Sequence, residues 1–229
     1  MLSFVNSNQY SLKSIFILFV LLTHVSLSQQ DQQTRKDSIL VALQYDSLYS
    51  ELGYYKTIAE DYQIPFIAAL SKYPELDSTR IIVKRAKIST SLNARPTIAS
   101  LLFRSKEKRK YVIRVNTRLK DSLILLEDAP FNACVGVFGH ELGHIFDYST
   151  RSFFGIIKRL FAYTGKRSKS SFEKEIDQLT ISRELGLHLY DWAYFVLEES
   201  NGTEAYKTFK KEVYLEPEEI LEIMNAPKE

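Results

Sequence analysis

The chain has 229 residues, with 30 Lys or Arg against 28 Asp or Glu, so its formal charge is +2 while 45% of its residues are hydrophobic. That near-neutral balance argues against nucleic acid or an anionic membrane as the main partner, and the length allows one domain with a proper core. Cys134 is the only cysteine, so the fold holds together without an internal disulfide, and this small residue is expected to be buried rather than to ligate.

Residues 1–28 read as an export signal. Lys13 is the only charge before the apolar run Ile15 to Leu22, and Ser26 and Ser28 suit cleavage before Gln29, where the chain turns polar. The expected product is a single mature domain, residues 29–229, that is periplasmic or secreted. The run is shorter than the roughly 20 apolar residues that span a bilayer, so no stable membrane insertion is expected after cleavage. A membrane anchor formed by an uncleaved signal is the alternative.

From Asp37 to about Tyr62, apolar residues recur at helical spacing (Leu40, Leu43, Leu48, Leu52, Tyr55, Ile58), interrupted by Gly53, which predicts one or two helices. Pro65 opens a short helix that Pro74 ends. Three β-rich runs follow: Ile81 to Val83, Thr97 to Phe103 and Tyr111 to Val115, with the basic stretch Arg104 to Lys110 as a solvated hairpin turn. A fourth run, Leu123 to Leu126, leads through Pro130 into the next helix. It is therefore the candidate edge strand beside a cleft, where an extended peptide could pair by strand addition.

The helix that follows contains His140-Glu141-Leu142-Gly143-His144. Residues four apart share a helix face, with Cβ atoms about 5–6 Å apart, so His140 and His144 can aim two imidazole nitrogens at one ion. That is half of a zinc site. Glu141 reaches the same side, where a carboxylate can serve as general base toward a zinc-activated water. Phe138, Leu142 and Ile145 form a separate apolar stripe that buries the helix. Gly136, Gly139 and Gly143 each cost a helix interior about 1 kcal/mol relative to Ala, and close approach of a strand or a substrate is the expected reason.

In this order of elements, helix, small sheet, His-Glu-x-x-His helix and a further helical segment, residues 80–195 resemble the zincin metallopeptidases. The metzincin branch would place Gly and then His or Asp where Asp147 and Thr150 stand, so it does not match. Glu173-Lys-Glu-Ile-Asp177 matches the Glu-x-x-x-Asp of the gluzincin branch, which includes thermolysin-like enzymes and the CAAX prenyl proteases. The resemblance implies an α+β, zincin-like fold with a small mixed or antiparallel sheet. It also implies one Zn2+ per chain on His140, His144 and Glu173, with Asp177 supporting His140 and a peptide or protein as substrate. Glu173 and Asp177 share a helix face, although Ser170 and Glu173 also spell a capping box.

His188 is the rival third ligand. It continues the face of Glu173, but fifteen helical residues span about 22 Å, so both can meet one ion only if the helix breaks, with Gly186 as the candidate break. Phe153 to Tyr163 predicts an apolar helix, either a lid or a packed wall, ended by the basic stretch Lys166 to Lys169. Tyr148, His188, Tyr190 and Tyr194 are all candidates to stabilise an oxyanion. Asn201-Gly202-Thr203 fits a glycosylation acceptor, and the tail resumes helix after Pro217. The reading is an exported zinc-dependent peptidase, with a catalytically inactive zincin-fold binding or assembly module of the cell envelope as the alternative.

Overall fold

A computed structural model describes residues 45–118 and 124–226. The proposed signal, the Gln-rich start, Leu40, Leu43 and Leu123 lie outside the described residues. The fold is mixed α+β, with a small four-stranded mixed sheet and a helical layer.

Residues 45–52 are helical, and Gly53 closes that helix by donating its N–H to the Tyr49 carbonyl at 2.8 Å. The helix expected to run on to Tyr62 stops here, because the chain enters strand β1 (Lys56–Ile58). Helix α1 (Gln63–Leu70) is buried along nearly its whole length, and Pro74 begins a short 3-10 turn rather than ending α1. Strand β2 (Arg80–Ala86) follows. Strand β3 (Leu92–Pro96) escaped the sequence reading because it is short and ends on Pro, yet it alternates as an edge strand should, with Leu92, Ala94 and Pro96 buried and Arg95 exposed. Strand β4 (Lys110–Asn116) completes the sheet.

The strand order is β1-β2-β4-β3. The first two pairings are parallel, with Ile81 beside Tyr111 and Val83 beside Ile113, and β3 runs antiparallel to β4. Ile81, Val83, Tyr111, Ile113 and Val115 bury one face of the sheet in the core, as period-two alternation requires.

Two strand expectations are corrected. Thr97 to Phe103 is not a strand but helix α2 (Ile98–Phe103), started after Pro96 by Thr97, whose hydroxyl donates to Ser100 Oγ. Its β-rich composition does not mark a buried ladder, since Ile98, Leu102 and Phe103 are exposed. The strand expected to end at Leu126 also fails: Ile124 and Leu125 join no sheet, and Leu126–Asp128 forms a 3-10 turn, so β3 is the edge strand instead. Arg104 to Lys110 is no hairpin turn either. It carries a 3-10 turn (Lys106–Lys108) that links α2 to β4.

Helix α3 (Phe131–Thr150) is the central element, with fourteen of its twenty residues buried. Phe138 meets Phe66 of α1 edge-on at 5.7 Å, and the Tyr73 hydroxyl donates to the Gly139 carbonyl at 2.8 Å. Helix α4 (Phe153–Ala162) matches its expected span. Lys166 to Lys169 does not simply end α4; it is the first turn of α5 (Lys166–Thr180). A π-helical segment (Ile181–Leu185) bends the chain into α6 (Gly186–Tyr194). The bend sits at Arg183 and Glu184, the latter at φ 62°, two residues ahead of Gly186. Helices α7 (Glu204–Val213) and α8 (Pro217–Asn225) close the chain. Among the described residues no helix is long and apolar enough to cross a membrane.

Candidate metal centre

His140 and His144 lie one turn apart in the interior of α3, with rings edge-on at 4.8 Å and Nε2 atoms 3.1 Å apart. Helix α5 lays Glu173 across them, its Oε2 3.1 Å from His140 Nε2 and 3.2 Å from His144 Nε2. The three glycines of α3 explain how these helices come so close. A Cβ on Gly136 would sit 2.0 Å from the His188 carbonyl oxygen, one on Gly139 would sit 2.6 Å from Leu185 Cδ1, and one on Gly143 would sit 3.0 Å from Ile176 Cγ2. The approach they permit is therefore that of α5 and α6, not of a strand or a substrate.

Asp177, one turn beyond Glu173, places Oδ1 2.7 Å from His140 Nδ1. With Nδ1–H donated to that carboxylate, the lone pair of a neutral His140 sits on Nε2, inside the triangle. The second Asp177 oxygen accepts the Leu215 N–H at 2.9 Å, which ties the Tyr214–Leu215 turn to the site. Ser170 and Glu173 form no capping box, because α5 begins four residues before Ser170, with Gly165 as its N-cap.

The donor set fits a metal ion. Donor atoms around a tetrahedral ion at about 2.0–2.1 Å are roughly 3.3–3.4 Å apart, and the three here form a nearly equilateral triangle of 3.1–3.2 Å. Among the described residues they are the group able to hold one. The electrostatics favour positive charge at this point. Burial opposes an imidazolium at His140, but Asp177 and then Glu173 outweigh it and push its pKa up to about 10. Burial would likewise raise Glu173, yet His144 and His140 hold its carboxyl well below the usual range. Two imidazoles and one carboxylate suit zinc among several divalent ions.

Glu141 faces a cavity of about 380 Å³ that is lined also by His140, Leu189, Trp192, Lys210 and Tyr214. Its Oε2 is buried with no hydrogen-bond partner among the described residues, and burial, only partly offset by the two imidazoles, raises its pKa. A carboxylate left in this condition is poised to take up a proton.

Of the proposed oxyanion stabilisers, Tyr148 stacks on the His144 ring at 6.1 Å, while Tyr190 and Tyr194 stack on each other at 6.0 Å. None of these, nor His188, lines the cavity, and His188 is outside the metal-capable group. One phenol that the sequence reading missed, Tyr214, does line the cavity. Tyr214 lies 5.6 Å from the His140 ring, its pKa raised well above the usual value by burial and by Glu173 and Glu141. Tyr163 does not line the cavity, and burial and the nearby Glu173 charge raise its pKa too. Neither belongs to a motif; hydrophobic periodicity around them was the only available signal. Comparisons with family models, with curated proteins and with solved structures find no match.

Proposed function

We propose that the chain is an exported zinc-dependent metallopeptidase of the zincin type, hydrolysing peptide bonds. One observation carries this reading: Glu141, whose buried Oε2 has no hydrogen-bond partner among the described residues, stands beside a His-His-Glu triangle and faces a cavity. A site that only braced two helices would need the ligands but neither the base nor the cavity.

His140, His144 and Glu173 would hold the zinc ion, which when bound would supply Lewis acidity for a water nucleophile and the scissile carbonyl. Glu141 accepts the water's proton at Oε2 and returns it to the departing amine nitrogen, and burial raises its affinity for that proton. Asp177 fixes the His140 ring and the Tyr214 turn together. The Tyr214 phenol, kept neutral, is a hydrogen-bond donor available to the developing oxyanion. Leu189 and Trp192 give the cavity apolar walls. The export part of the reading rests on residues 1–28.

The second reading, a non-catalytic binding or assembly module, is favoured by the depth of the donors, since His140, His144 and Glu173 are each at most 5% exposed. A peptide-library assay on zinc-loaded protein separates the two. The peptidase reading expects Glu141→Gln to lower turnover about 10²–10⁴-fold with zinc content and circular dichroism unchanged. Cleavage that persists at the wild-type rate contradicts the role of Glu141, and no cleavage by either protein favours the module.

A further inference from the structure

The small net charge conceals a strong segregation. Residues 98–110 and 151–169 together carry 11 basic side chains and 1 acidic one, a net +10 in a chain whose total is +2. The same two stretches expose large apolar side chains: Ile98 at 65%, Leu102 at 56% and Phe103 at 84% on α2, and Phe154 at 80% and Phe161 at 66% on α4. Ile98 and Leu102 stand one turn apart, as do Phe154 and Lys158, with Phe161 following on that face, while Ile156 packs inward. Both elements thus turn apolar side chains to solvent.

Arg109 ties the two stretches together, its guanidinium donating to the Arg151 carbonyl at 2.7 Å and the Tyr148 carbonyl at 3.4 Å. Arg104, Lys106, Lys108, Lys158 and Arg167 are exposed at the surface, whereas Arg151, Arg159 and Lys166 pair with Asp147, Glu175 and Glu212. Basic side chains around exposed aliphatic and aromatic ones match a surface that is anionic at its boundary and apolar just beneath. A phosphate backbone would complement the charges and leave Ile98, Leu102, Phe154 and Phe161 without a partner.

We propose that α2, the Arg104–Lys108 loop and α4 form a peripheral docking surface for an anionic lipid bilayer, with Phe154 and Phe161 entering the interface and the basic residues meeting headgroups. The surface lies in the bilayer boundary and spans nothing.

Flotation of the full-length chain with vesicles of phosphatidylcholine, alone or with about a third phosphatidylglycerol, tests this. Because the apolar run Ile15 to Leu22 can itself bind lipid in either vesicle, each variant is compared in the same full-length background. Both variants below change surface residues, and thermal melts by circular dichroism confirm that they fold. Phe154→Ser with Phe161→Ser should lower partitioning into anionic vesicles at least about tenfold. Lys106→Glu with Lys158→Glu should lower it at least about tenfold on anionic vesicles only, an effect that about 0.5 M salt reproduces by shortening the screening length to a few Å. Variants that float like wild type would overturn the proposal. So would variants that instead lose self-association in sedimentation velocity, or lose binding to a DNA duplex while wild-type flotation ignores lipid charge.

Discussion

Within the donor triangle each side chain carries a separable task. Glu173 contacts both imidazoles, so Glu173→Ala should lower zinc affinity by orders of magnitude. Asp177 touches only the far nitrogen of His140 and the Leu215 N–H, so Asp177→Ala should cost about 10–100-fold. His188→Ala should leave zinc affinity nearly intact, because His188 is outside the group. Competition titrations with a chromophoric chelator rank the three variants, and a His188 variant weaker than the Glu173 variant would refute the assignment. Asp147 illustrates a purely structural carboxylate. It pairs with Arg151 at 2.7 Å and Arg159 at 3.1 Å, and these contacts outweigh burial and keep its pKa below the ordinary 3.8. A lowered carboxylate pKa adds stability that is fully present above the unfolded value and is lost as pH falls through the folded one. Asp147→Asn should therefore cost about 1–2 kcal/mol at neutral pH, with the difference from wild type shrinking below about pH 4, as chemical denaturation at stepped pH would show.

At the scale of elements, the glycines of α3 set how near α5 and α6 can come. Gly136→Ala would drive a methyl into the His188 backbone, and we expect a loss of about 3 kcal/mol or more despite the better helix propensity of Ala. Gly143→Ala meets only Ile176 Cγ2 at 3.0 Å and two hydroxyls, the nearer being Tyr73 at 3.4 Å, so its effect should stay within about 1 kcal/mol. Thermal melts of the two variants check the contrast. These glycines also mark how far the sequence could be read. The His140–His144 spacing and the i, i+4 placement of Glu173 and Asp177 are local properties of two helices, and local periodicity is visible in sequence. That the glycines face α5 and α6 is a long-range fact with no local trace. Thr97 to Phe103 misled because β-branched and aromatic residues in an exposed helix look like a buried strand; Pro96 and Thr97 decided the matter. Leu92 to Pro96 was missed because an edge strand of five residues with Arg95 outward carries little apolar signal. The helix break was expected at Gly186, yet Glu184 adopts the left-handed backbone instead.

Across the whole molecule, the sheet, α1 and α3 make one continuous core, while the last helices close over the centre. Lys210 and Tyr214 line the cavity from α7 and the turn after it, and Asp177 holds that turn through the Leu215 N–H. Helix α4 leads from the proposed lipid-facing surface toward the centre, since Tyr163, directly after it, meets Phe172, the neighbour of Glu173, edge-on at 5.7 Å. The central claim is that His140, His144 and Glu173 hold one zinc ion. Metal analysis of the gently purified full-length protein by inductively coupled plasma mass spectrometry, with Glu173→Ala alongside, tests it most directly. The account predicts close to one zinc per wild-type chain and far less in the variant. A wild-type protein that carries no zinc and fails to retain it when added would contradict the account.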